Sequence, residues 1–110
     1  MSTIINLTPH DIVVMIEHSI EDVTFPSSGT VARLSTHEYT FGGGTLEGVE
    51  VVRVDYGRLA EEPPKVEDTY YIVSLVTALA MRRPDFLVPY EEIRDDAGRI
   101  LGCRRFAAIA

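Results

Sequence analysis

Lysine is almost missing from this chain: nine of its ten basic residues are arginine, and seventeen acids leave a formal net charge of −7. That balance argues against nucleic-acid polymers and anionic membrane surfaces, both of which reward clustered positive charge. A single cysteine, Cys103, excludes an internal disulfide and suits a reducing compartment. No apolar run approaches the ~20 residues that span a bilayer, and the first ten residues carry neither a basic start nor a long apolar stretch. The expectation is a cytoplasmic protein.

What is present fits one globular domain spanning residues 1–110, with 45% hydrophobic and 25% charged residues. The charge is unevenly placed. Residues 1–68 set Arg33, Arg53, Arg58 and Lys65 against twelve acids, a balance of −8, whereas residues 69–110 set six arginines against five acids, a balance of +1. A GC-rich genome accounts for arginine over lysine; the alternative is that some arginines fork onto carboxylate or phosphate.

The most informative stretch is Thr69 to Pro89. A strand-like run, Tyr70 to Val73, reaches Ser74, turns helix-like over Leu75 to Met81, and stops at Arg82-Arg83-Pro84. Around it, β-branched runs at Ile4–Leu7 and Ile12–Ile16 read as a hairpin through Thr8-Pro9-His10-Asp11, the second strand being central because it is apolar on both faces. Further strands are expected at Val23–Phe25, Val31–Leu34, His37–Phe41 and Val49–Tyr56, the last entered through a turn at Glu47-Gly48. Gly42-Gly43-Gly44 lacks the lysine and following helix of a phosphate loop and reads as a mobile or bulged loop. Arg58–Asp68 is a solvated connection, and Asp95–Gly98 joins Ile93-Arg94 to Arg99–Phe106 in a hairpin. The fold expectation is α+β: a mainly antiparallel sheet or barrel-like domain with one short helix.

Chemistry is sparse. Ser74, where strand becomes helix, either caps the first free N–H groups or helps them bind an anion. It lacks the Gly-x-Ser-x-Gly context of a strained nucleophile. A seven-residue helix is only about 10 Å long at 1.5 Å per residue. Ser74 and the Arg82-Arg83 pair therefore frame a long ligand or meet across an oligomer interface rather than grip one small anion. Asp85 can hold either guanidinium. His10 beside Asp11 is either a polar turn residue or an acid–base group. One cysteine and three scattered histidines give no metal-ligand spacing. Tyr70, Tyr71, Tyr90, Phe86 and Phe106 lie near the late arginines, as a base-stacking site or simply as core.

Several elements together carry a resemblance: Asn6-Leu7-Thr8-Pro9-His10, Pro26-x-x-Gly29-x-Val31-Ala32-Arg33, Gly48-x-x-Val51-Val52, Tyr71-Ile72-Val73-Ser74, Arg83-x-Asp85 and Arg94-Asp95-x-x-Gly98-Arg99-Ile100-x-Gly102-x-Arg104. Over nearly its whole length the chain resembles a family of small phage, prophage and actinobacterial proteins that share the N-terminal Asn-Leu-Thr-Pro-His motif. Small phage proteins of this size include sponges that sequester nucleotide immune signals, such as cyclic dinucleotides or ADP-ribose derivatives. The resulting expectation is a homo-oligomer that binds a phosphorylated, nucleotide-like ligand without catalysis, cofactor or metal. Thr8, His10, Tyr71, Ser74, Arg82, Arg83, Asp85 and Arg94 are its candidate contacts. The alternatives are a nucleotide hydrolase using His10 with Asp85, and a structural or protein-interaction module, such as a virion component or host-protein inhibitor. The last would expose an apolar patch or edge strand in place of an arginine-lined pocket.

Overall fold

The structure, a computed structural model, describes residues 2–110. Its elements run β1 (Thr3–Asn6), β2 (Ile12–Val14), β3 (Val23–Phe25), β4 (Leu34–Leu46), β5 (Val49–Leu59), β6 (Thr69–Ile72), α1 (Leu75–Met81), β7 (Phe86–Arg94) and β8 (Ile100–Ala108). Among the described residues six strands form one sheet in the order β1-β6-β7-β8-β2-β3, and β4 pairs only with β5. Asn6, ending β1, bridges Ser27 just beyond β3, and the Ser28 N–H donates to the Asn6 carbonyl at 3.0 Å. The sheet thus nearly closes on itself, leaving little open edge. The molecule is mainly β with one short helix, and among the described residues no helix is long and apolar enough to cross a membrane.

Two expectations need correcting. The sheet is mixed rather than mainly antiparallel, since β1–β6, β6–β7 and β2–β8 are parallel pairs. Nor do β1 and β2 form a hairpin: β1 pairs with β6, while β2 lies between β8 and β3. The intervening Thr8–Asp11 turn is held by side chains, so it carries the chain away from β1 instead of folding it back.

The central stretch folds as its pattern implies. Strand β6 leads to Ser74, an extended residue (φ −68°, ψ 156°) that caps α1, and the helix ends at Arg82 in the left-handed region (φ 45°) with its N–H on the Ala78 carbonyl. Pro84 cannot extend the helix. The chain returns as β7, parallel to β6 with Tyr71 opposite Phe86 and Ile72 opposite Leu87. Alternation puts Tyr71 and Val73 on one face of the strand and Ile72 on the other, and all three are buried. The first two join Leu7, Leu59, Ala78, Phe86 and Val88 in the core.

The β4–β5 ribbon stands apart from this body. Glu47 (φ 49°) and Gly48 (φ 79°) are both left-handed, the backbone that a two-residue hairpin turn requires. The three glycines fall within β4, where the register shifts between Thr40 and Thr45, so the expected loop is a bulge inside a long strand. Leu34 and Leu59 root the ribbon in the core, but most of its residues are exposed. The radius of gyration is accordingly 16.9 Å, with extents of 54 × 39 × 24 Å. A compact chain of this length would measure about 13 Å.

Candidate functional site

The Asn6–Asp11 turn is built around the Asn6 amide, which is 2% exposed. Its Nδ2 donates to the carbonyls of His10 (2.8 Å) and Phe25 (2.9 Å), and its Oδ1 accepts from the Thr8 N–H (2.9 Å) and hydroxyl (2.7 Å). Asp11 Oδ1 accepts the Ser27 N–H at 2.9 Å, and the Ser27 hydroxyl donates to the Thr8 carbonyl at 2.7 Å. Short polar side chains that bond nearby backbone in this way replace a regular ladder with a fixed turn. The Thr8 hydroxyl is therefore committed to the turn.

Ser74 is similarly committed. Its Oγ accepts the Thr77 N–H at 3.3 Å and donates to Thr77 Oγ1 at 3.0 Å, which closes the first turn of α1.

Arg83, Asp85 and Tyr71 form a structural unit under the helix. Arg83 is 5% exposed; its Nε and Nη2 donate to the two Asp85 oxygens at 2.9 and 2.6 Å, and its Nη1 donates to Glu62 (3.3 Å) and the Pro63 carbonyl (2.7 Å). The guanidinium lies 4.6 Å from the Phe86 ring centroid and 6.0 Å from that of Tyr71. The hydrogen bond to Asp85 holds the Arg83 pKa above the ordinary arginine value, against the opposing effect of burial. Tyr71 is 4% exposed, and its hydroxyl donates to the Pro64 carbonyl at 2.6 Å. Four of the five Arg83 N–H donors are committed and the side chain is buried, so it is not open to a phosphate, and the buried Tyr71 ring has no open face for a base.

The remaining candidates are dispersed. Arg82 is exposed at the end of α1. Arg94, by the β7–β8 turn, donates to the Gly98 carbonyl at 2.7 Å and to Glu92 at 3.1 Å. His10 lines a cleft of about 350 Å³ with Asp11, Glu92 and the buried Cys103, whose thiol pKa is raised by burial. Asp85 lines a different depression with Lys65 and Glu67, so His10 and Asp85 do not share a site. Among the described residues, no three His, Cys, Asp or Glu side chains gather as metal ligands.

Two of the eight candidates share an open cleft. Thr8 and Ser74 line a cleft of about 280 Å³ between the N-terminal turn, the segment 31–34 and the start of α1, and a second cleft, of about 430 Å³, lies on their other side toward Val88 and Tyr90. The first cleft is lined by Leu7, Val31, Ala32 and Val76, together with Arg33 and Tyr56. Arg33 is the only charged side chain in this lining, is exposed, and makes no ion pair among the described residues. Tyr56 is 54% exposed. Sequence reasoning did not include either residue among the ligand contacts. A signal for Arg33 existed: it lies in the acidic half of the chain with no acid within four residues on either side, so no neighbour in sequence neutralises it. For Tyr56 there was none, because only the β4–β5 register brings its ring to the cleft.

No protein-family model, no curated protein and no solved structure matches this chain.

Proposed function

We infer that this chain binds a small phosphorylated, nucleotide-like molecule in the cleft of Arg33 and Tyr56 and holds it without turnover. The observation that carries this reading is Arg33, exposed and without an ion pair among the described residues, lining a largely apolar cleft together with the exposed Tyr56. The only charge a ligand meets in that lining is positive, in a protein of net charge −7. Arginine forks suit phosphate, and aromatic faces suit bases. At about 280 Å³ the cleft is at the small end for ligand sites and fits one nucleotide unit rather than a whole dinucleotide. For a phage-encoded protein in a host cytoplasm, such binding amounts to sequestration of a nucleotide-derived signal. The hydrolase alternative loses ground because His10 and Asp85 lie in separate depressions.

Native mass spectrometry with a panel of nucleotides, cyclic dinucleotides and ADP-ribose species tests the reading. The expected result is one adduct whose mass is unchanged over hours and whose affinity falls about tenfold or more in Arg33→Ala, the loss of a charge-assisted contact. No adduct with any panel member, or an adduct indifferent to Arg33→Ala, would sink it.

A second reading, an assembly or protein-interaction module, is favoured by a separate observation. Tyr39, Leu46, Val49, Val52, Val54 and Tyr56 are exposed apolar residues on one projecting ribbon.

A further inference from the structure

We propose that the free edge of β5 pairs antiparallel with β5 of a second copy of this chain, joining two ribbons into one four-stranded sheet. The inference does not depend on whether the Arg33 cleft holds a ligand. Among the described residues β4 and β5 pair only with each other, so each has one open edge. The triple-glycine bulge places its extra residues on the β4 side, whereas β5 carries no extra residue from Val49 to Tyr56. A long, exposed edge rich in valine is a template for another strand. An isolated two-stranded ribbon is also marginal in water, and three or more strands are the usual minimum for independent stability.

The β5 sequence identifies the partner, because it complements itself. With the two-fold axis at Val54, Arg53 of each copy falls opposite Asp55 of the other, and Val52 falls opposite Tyr56. The pairing thus sets charge against charge and valine against aromatic ring, the cross-strand combinations that stabilise sheets. Within the protomer Arg53 faces Tyr39 and Asp55 faces His37 across the ribbon, and neither charge has an ion-pair partner among the described residues. Register is specified as well. Sliding by two residues, which preserves the faces, puts Arg53 opposite Arg53 or Asp55 opposite Asp55. A symmetric, self-complementary contact of this kind closes as a dimer.

Sedimentation velocity over the micromolar range, with the full chain, tests this. The wild type is expected to be a dimer that dissociates on dilution, and hydrogen exchange of the Val49–Tyr56 amides should accelerate as it does. Arg53→Asp and Asp55→Arg each place like charges opposite at two symmetric positions, and each should weaken association about tenfold or more. Mixed in equal amounts, the two variants should form a heterodimer, because the introduced aspartate of one meets the introduced arginine of the other. Recovery on mixing also shows that each variant is folded. A wild type that is monomeric throughout overturns the proposal. So does a dimer indifferent to both substitutions, or folded variants that do not recover on mixing.

Discussion

Replacing Arg83 should unfold the protein more readily without acting on ligand binding directly. Arg83→Met leaves the Asp85 carboxylate, whose side chain is 18% exposed, without either of its guanidinium hydrogen bonds, and strips donors from Glu62 and the Pro63 carbonyl. Removing one member of a buried pair costs about 3–5 kcal/mol. Asp85 retains some access to water and Glu62 is more exposed still, so the lower end, about 3 kcal/mol, is expected. At about 4 °C per kcal/mol for a domain of this size, the melting temperature falls by roughly 12 °C. Arg83→Lys keeps the charge but not the two-pronged geometry and should cost about half as much. Arg83→Met combined with Asp85→Leu removes the stranded carboxylate and should cost only about 1 kcal/mol, for the unpartnered Pro63 carbonyl. Urea unfolding of the four proteins at neutral pH measures these values. A loss below about 1 kcal/mol in Arg83→Met, or a double variant no more stable than Arg83→Met alone, refutes the reasoning. The raised Arg83 pKa adds no pH dependence at working pH. Its contribution is fully present below the unfolded value and is lost only as pH rises through the folded one, beyond the ordinary arginine range.

Asn6→Ala deletes both donors and the acceptor that hold the N-terminal turn, leaving the His10 and Phe25 carbonyls short of a partner; a loss of about 3 kcal/mol in urea unfolding is expected. Asn6→Asp, which keeps the acceptor but replaces both donors with negative charge, should fare no better. Burial, with a smaller contribution from the Glu92 charge, raises the Cys103 thiol pKa. A raised folded pKa means that stability is intact below the ordinary thiol range and declines as pH rises through the folded value, so Cys103→Ala should flatten the alkaline limb of the stability–pH curve. Thiol reagents should label Cys103 only when urea is present.

The local grammar of the chain was legible; its long-range partners were not. Leu75–Met81 is bounded by a serine cap before it and Arg82-Arg83-Pro84 after it, and the helix occupies those residues. Glu47-Gly48 and the Asp95–Gly98 turn likewise state their geometry locally. By contrast, the Thr8–Asp11 segment has the composition of a hairpin turn, and only the Asn6 side chain, reaching the Phe25 carbonyl nineteen residues away, shows why it is not one. The parallel pairings of β1 with β6 and β2 with β8 depend on crossovers that no short window contains. For the site, arginines near aromatic residues in sequence suggested an anion pocket. Yet Arg83 lies beside Asp85 in both sequence and space, and a neighbouring carboxylate is the more accessible partner. The arginine lining the cleft has no acid within four residues, a neighbourhood it shares with Arg104 and Arg105, of which Arg105 still finds Glu91 across the β7–β8 ladder.

The cleft and the β5 edge share one residue, and this determines how their tests separate. Tyr56 lines the cleft, and in the proposed pairing it also stands opposite Val52 of the second copy. Removing its ring would disturb ligand binding and association together and would distinguish nothing. Arg33 is outside β5, and Arg53 is absent from the cleft lining. Arg33→Ala therefore acts on the cleft alone, and Arg53→Asp acts on the edge alone. Should ligand affinity fall in Arg53→Asp as well, with the fold intact, the cleft is completed by the second copy, because that substitution reaches the ligand only through the partner. Any such coupling is reciprocal: a ligand that favours the dimer is bound more tightly by it, by the same factor. The projecting ribbon and the small cleft at its root would then be one device, with Tyr56 as the shared wall.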